Sequence, residues 1–392
     1  MVLLAVLMFV GLLVLSAGLP PDLREGSNDL NLYRQAGESI LRGDVPYRDF
    51  FIEYPPGSLP AFVPPALFSA SQASFIDLFS LEMALTLVVT LLLTALGARR
   101  LRGYRAWILP AATFALAAVL LYPVAVTRYD AVVALTLGLA VFFAALGGRY
   151  LSLAYASIGF GTAAKFVPAL ALLPLALTRR GAMRGCAVFL AVVALFFVPF
   201  AVLGGQGLLQ SFAYQAERGL QVESLAASVL TFLRSADSVV FEHGAFEMRG
   251  EGAGLATSLS PFVTLLLLAV TGLAIWWEFR RCGGLGVGAF PRHAAALILA
   301  FMLGSRVLSP QYMIWLLPLV PLSAGGLVGT IICTLFLAAC FTTTLIFPVH
   351  YVDLLTFRYP GPELLLTRNL LLVILWITML TLAAVDAEKR SS

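Results

Sequence analysis

Apolar runs of membrane-crossing length, punctuated by short polar stretches, set the rhythm of this chain. Such runs predict transmembrane helices rather than the core helices of a soluble fold. Ten are plain, at residues 2–19, 75–97, 104–126, 131–146, 186–203, 261–277, 293–304, 312–322, 327–347 and 364–384. The apolar stretch 152–177 is too long for one helix of about 20 residues and too short for two full ones. A break near Lys165 and Pro168 would divide it into a hairpin of two short helices.

The pattern changes twice. Between the first two runs, Leu30, Tyr33, Gly37, Ile40 and Leu41 recur at helical spacing, which predicts an amphipathic helix over 29–42 lying on the membrane surface and closed by Gly43. Pro46, then Tyr54-Pro55-Pro56-Gly57, then Pro64-Pro65 impose extended or turning backbone after it. The second change is an amphipathic stretch at 208–233, with Glu217, Arg218, Gln221 and Glu223 on its polar side and a glycine-rich charged end near 249–254. This stretch has the makings of a lid.

Composition then excludes a soluble protein. Hydrophobic residues make up 60%, charged residues only 12%, and the mean hydropathy is +0.94. The fold class is an all-α polytopic membrane protein, one integral-membrane domain over 1–392. The first run carries neither a basic leader nor a small-residue cleavage site, so it is expected to stay as a helix. Basic residues cluster at 99–105, 149, 179–184, 280–292 and 389–390, which the positive-inside rule assigns to the cytoplasm. Arg149 and Arg179 then share a side only if 152–177 enters and returns. About twelve segments follow, with both termini cytoplasmic and outer loops at 21–74, 204–260 and 349–363.

The pI of 8.9 fits arginines meeting anionic lipid and gives no reason to expect nucleic acid. Cys186, Cys282, Cys333 and Cys340 form no CxxC pair and read as small apolar fillers. Arginine dominates lysine and alanine and leucine abound, a composition typical of GC-rich bacterial genomes. No internal repeat of fixed period is evident.

Seven carboxylates crowd the first outer loop: Asp22, Glu25, Asp29, Glu38, Asp44, Asp49 and Glu53. Ionisable groups beside a membrane usually mark a working surface. Asp29 shares a helix face with Tyr33 and ranks first as a catalytic base; the plainer reading is a helix-start residue that complements the dipole, like Ser27 and Asn28. Asp44, Asp49 and Glu53 are candidates to divide acid and base work, or simply solvated charges balanced by Arg42 and Arg48. Lys165 is the only lysine outside the C-terminal tail and needs an anion, either Asp130 or a lipid phosphate. Arg128 and Asp130 in TRYD, and Arg306 in SRVLSPQY, are placed for forked recognition of phosphate oxygens or for structural ion pairs. His350 is a candidate to donate to phosphate or orient an acceptor hydroxyl. No set of residues has metal-ligand spacing.

Six words in fixed order carry a resemblance: DLNLY (29–33), GDVPYRDFFIEYPPG (43–57), TRYD (127–130), AAKFVPAL (163–170), RGLQVES (218–224) and SPQYMIWLLP (309–318). Together they resemble the C-superfamily glycosyltransferases, most closely family 87, the polyprenyl-phosphate-mannose-dependent mannosyltransferases. The resemblance implies a multi-helix membrane fold with surface helices in the first outer loop and a site open to the outer leaflet of the plasma membrane. It makes Asp29 the base that deprotonates an acceptor hydroxyl on a glycolipid or glycan, which attacks a polyprenyl-phosphate sugar with inversion and without a metal. Substrate-binding roles fall to Tyr33, Asp49, Glu53, Tyr54, Arg128, Asp130, Lys165, Arg218, Glu223, Arg306, Gln311 and His350, with Lys165, Arg128, Arg306 and His350 meeting phosphate. A flippase or transporter of lipid-linked sugars, or a non-catalytic envelope-assembly subunit, would share the helices and intramembrane charges.

Overall fold

The structure, a computed structural model, describes residues 1–19, 28–178, 182–233 and 238–391. Its helices are α1 Val2–Ala17, α2 Asn28–Leu41, α3 Gln72–Arg102, α4 Ile108–Leu120, α5 Asp130–Leu146, α6 Leu151–Ala164, α7 Ala182–Gly204, α8 Gln206–Glu217, α9 Leu225–Phe232, α10 Glu251–Cys282, α11 Phe290–Gly304, α12 Gly326–Thr344 and α13 Gly361–Ser391. Among the described residues, six helices are long and apolar enough to cross a membrane, and four shorter apolar helices accompany them. The chain is an integral, multi-pass membrane protein.

Helix α11 is buried almost throughout, and α3, α5 and α6 each bury one face against the bundle. By contrast, α7 leaves Leu190, Leu195 and Val202 largely uncovered. An apolar face of that size is stable only against lipid. Helix α2 turns Leu30, Tyr33 and Gly37 inward, as the spacing predicts, together with Ala36, while Ile40 is half-buried and Leu41 is exposed. It ends at Gly43, whose φ of +93° suits glycine.

The ambiguous stretch 152–177 breaks where charge balance asks it to. Helix α6 stops at Ala164, Lys165 is extended (φ −161°, ψ 126°), and the chain returns through a short helix, 3-10 over Val167–Ala171 and α over Leu172–Ala176. Arg149 and Arg184, which flank it, line one shallow pocket, so both ends of the stretch lie on the same side. Arg179 itself lies outside the described residues.

Two expectations change. Residues 312–322 form no continuous span: only Met313–Leu316 is α-helical, between the 3-10 turns Pro310–Tyr312 and Val320–Leu322. Pro318 and Pro321 remove backbone donors, and every residue from 312 to 322 is buried in protein, where irregular backbone is tolerated. The stretch 208–233 is likewise not one amphipathic helix. It divides into α8, the strand β1 Leu220–Gln221 and α9, because β1 pairs with β3 Ala245–Arg249, itself hairpinned with β2 Ser238–Glu242 in the antiparallel order β1-β3-β2. A Cβ at Gly219 would come within 2.4 Å of Glu247 Oε2, so the Glu247 side chain of β3 packs directly over this corner.

Candidate active site

A cavity of about 370 Å³ opens at the end of the bundle that carries α2, α8 and the β-hairpin. Asp29 enters it from the first turn of α2. One carboxylate oxygen lies 2.9 Å from Arg128 Nε, and the other accepts a 3.0 Å hydrogen bond from the Tyr54 hydroxyl. Both charged partners keep an open side, with 23% of the Asp29 and 17% of the Arg128 side chain exposed. Tyr33, one turn on, is buried and stacks on Phe62 at 4.4 Å, with Tyr54 and Tyr129 edge-on beside it. It props the Asp29 turn. Burial raises the phenols of Tyr33 and Tyr54 well above their usual range, so both stay protonated.

The YPPG turn reaches this place by close packing. A Cβ on Gly57 would lie 2.5 Å from the Ala163 carbonyl carbon, so the turn rests on the end of α6, next to the extended Lys165. Lys165 Nζ donates to Asp130 at 2.7 Å, and Trp315 Nε1 donates to the same oxygen at 2.6 Å. Tyr129, Tyr312 and Trp315 surround the ammonium at 5.0 to 5.3 Å from their ring centres. Asp130 is buried, whereas Lys165 is 20% exposed into the cavity. The partner that the ammonium needs is thus Asp130, and the cation still faces the cavity.

On the far wall, Gln215 Nε2 donates to Glu53 at 3.2 Å, and Arg218 donates to Gln215 at 3.3 Å. Burial raises the Glu53 carboxyl, against the lowering pull of Arg218. Glu223, Gln311 and the hairpin residues Gly244, Ala245 and Phe246 also line the cavity. Glu223 is buried, and desolvation pushes its carboxyl up to about 7 despite Arg368.

The structure therefore gathers Asp29, Tyr33, Glu53, Tyr54, Arg128, Asp130, Lys165, Arg218, Glu223 and Gln311 around one cavity. It puts three candidates elsewhere. Asp49 lies on the surface, where it accepts from Arg48 and the Val45 amide, contacts that lower it to about 2. Arg306 is spent on the Ala216 carbonyl at 2.7 Å, tying α11 to the end of α8. His350 pairs with Asp353 at 2.8 Å outside the lining. Asp22 and Glu25 fall outside the described residues.

The site also contains side chains that were not singled out as site residues. Gln215, Gln221, Tyr312, Trp315 and Tyr351 line the cavity, and Arg368 and Asn369 stand behind Glu223. Gln221 lay within the word RGLQVES, and Tyr312 and Trp315 within SPQYMIWLLP. Tyr351 and Arg368 had no such signal. Among the described residues one group has metal-ligand geometry, Glu242, His243 and Glu247, with donor atoms within 4.8 Å of one another. Its spacing along a β-turn resembles no linear metal motif, which is why the sequence showed none. Glu242 is also held by Arg249.

The arrangement sets one open carboxylate beside two cations that face the same space. It can accept a proton and steady an anion at once.

A model of glycosyltransferase family 87 matches residues 51–310, a stretch that begins after Asp29. Two solved structures are similar to the chain. ArnT from Cupriavidus metallidurans bound to undecaprenyl phosphate is 14% identical, with a TM-score of 0.51 over 99% of this chain and 78% of that one. The same protein in the apo state is 13% identical, with a TM-score of 0.49 over 92% of this chain and 72% of that one. At such identity the likeness is one of fold. No curated protein matches in sequence.

Proposed function

The chain belongs to glycosyltransferase family 87, with the C-superfamily fold, and on that premise we propose that it transfers mannose from a polyprenyl phosphate to a hydroxyl of a glycolipid or glycan. The observation that carries the reading is the open face of Asp29 between Arg128 and the cavity that Lys165 also enters. Asp29 takes the acceptor's hydroxyl proton as its oxygen attacks the anomeric carbon. The bond from that carbon to the phosphate oxygen breaks, its electron pair leaves with the phosphate, and the configuration inverts. Arg128 and Lys165 stabilise the departing anion, so neither a second acid nor a metal ion is needed.

The neighbouring ArnT structure with undecaprenyl phosphate supports a lipid-phosphate donor. The distribution of basic residues supports cytoplasmic termini and a cavity on the outer face, in a bacterial plasma membrane.

The test is direct: purified protein is given polyprenyl-phosphate mannose and a short-chain acceptor. A mannosylated acceptor and free polyprenyl phosphate are expected. Movement of the lipid-linked sugar between vesicle leaflets with no product would favour the carrier instead, and neither activity would leave an assembly subunit.

A further inference from the structure

One wall of the cavity has a polar group that the phosphate chemistry does not use. Glu223 is only 1% exposed yet lines the cavity, with Tyr351 beside it. Its place is fixed from behind by α13. Arg368 Nη2 donates to the Glu223 carbonyl at 2.7 Å, and Asn369 donates to the Ser224 carbonyl at 3.2 Å. Ser224 in turn caps α9 through the Ala227 amide. The backbone on both sides of this carboxyl is therefore held.

The side chain itself is under-used. Arg368 Nη1 stands 3.8 Å from Glu223 Oε2, too far for a hydrogen bond, and the Tyr351 hydroxyl meets the carboxyl without full hydrogen-bond geometry, so acceptor positions stay open. A buried carboxyl with open valence is costly unless a ligand completes it. A carboxylate repels phosphate but suits paired hydroxyls. Tyr351, Glu223 and Arg128 line the same cavity, so this wall shares its space with the cation beside Asp29. That places it next to a sugar attached to a phosphate held by Arg128.

We propose that Glu223, positioned by Arg368 and Asn369 and flanked by Tyr351, is the subsite that reads the hydroxyls of the transferred sugar. This rests on the polyprenyl-phosphate sugar as donor. The subsite discriminates by hydroxyl pattern, because a ring that lacks the matching hydroxyls leaves the buried carboxyl unpaired.

The experiment measures binding of two probes to the purified full chain, polyprenyl phosphate and polyprenyl-phosphate mannose. Glu223→Gln and Glu223→Asp are compared with the wild type, with thermal melting as a control for folding. Both variants are expected to weaken the mannosylated probe by about tenfold or more and to leave the bare phosphate within about twofold. Equal weakening of both probes, or no weakening of either, would overturn the assignment, as would an effect confined to the acceptor's KM. A wild type that binds neither probe overturns the donor reading and this inference with it. Binding of the bare lipid phosphate without any gain from mannose overturns this inference alone.

Discussion

Two clusters of buried charge lie at opposite ends of the bundle and differ in what they leave open. At one end, α10 presents Glu278 to Arg292 at 2.7 Å and to His293 at 3.0 Å on α11, with all three nearly inaccessible. Arg102, at the C-terminus of α3, donates to the carbonyls of Leu322 and Ala324 nearby. That cluster joins helices and lines no described cavity. At the other end, Asp29 with Arg128 and Lys165 with Asp130 make equally short contacts, yet Asp29, Arg128 and Lys165 stay open to a shared space. Buried charge alone therefore does not distinguish a joint from a site. Access does.

The comparison is sharpened most by Asp29→Asn, which should lower kcat by about 10²–10⁴ while donor binding persists, as expected for loss of a general base. Next, Arg128→Ala should cost about 10²–10³ in kcat/KM by removing a donor from the leaving phosphate. At the sealed end, Glu278→Gln should lower the melting temperature, a loss of about 3–5 kcal/mol for a broken buried pair, with kcat unchanged in protein that remains folded. A fall in kcat with no change in melting would erase the contrast between the two ends.

The smallest effect is a pH dependence. Burial raises Glu223 from its ordinary 4.5 to about 7, with Arg368 and Tyr351 as its charged and phenolic neighbours. The folded state therefore holds this proton more tightly than the unfolded state does. Its contribution is fully present below pH 4.5 and lost as pH rises through about 7. Glu223→Gln cannot ionise, so its melting temperature should rise relative to wild type between pH 5 and pH 8. A constant difference would show that the Glu223 carboxyl is not shifted.

Much of this was legible along the chain, for physical reasons. Long apolar runs report burial in lipid or protein, and the spacing of Leu30 and Tyr33 reports a half-buried helix, so most of the membrane helices and α2 were readable, whereas 312–322 is apolar because protein surrounds it. Lys165 was readable because an ammonium in an apolar hairpin demands an anion. What stayed hidden depends on distant partners. The strand at Leu220–Gln221 exists only because Met248 and Glu247 come alongside it. Arg368 sits on a helix whose composition is that of an ordinary span, and only the fold carries it to Glu223. Asp49, Arg306 and His350 had the right residue types, but Asp49 and His350 pair with near neighbours in the chain and Arg306 with the distant Ala216 carbonyl.

The central claim is a single displacement, with Asp29 as base, at the anomeric carbon of a lipid-phosphate sugar. It is tested most directly by the configuration of the product's new glycosidic bond, read by NMR from a donor of known anomeric form. The account predicts the opposite configuration to the donor's; retention would contradict it.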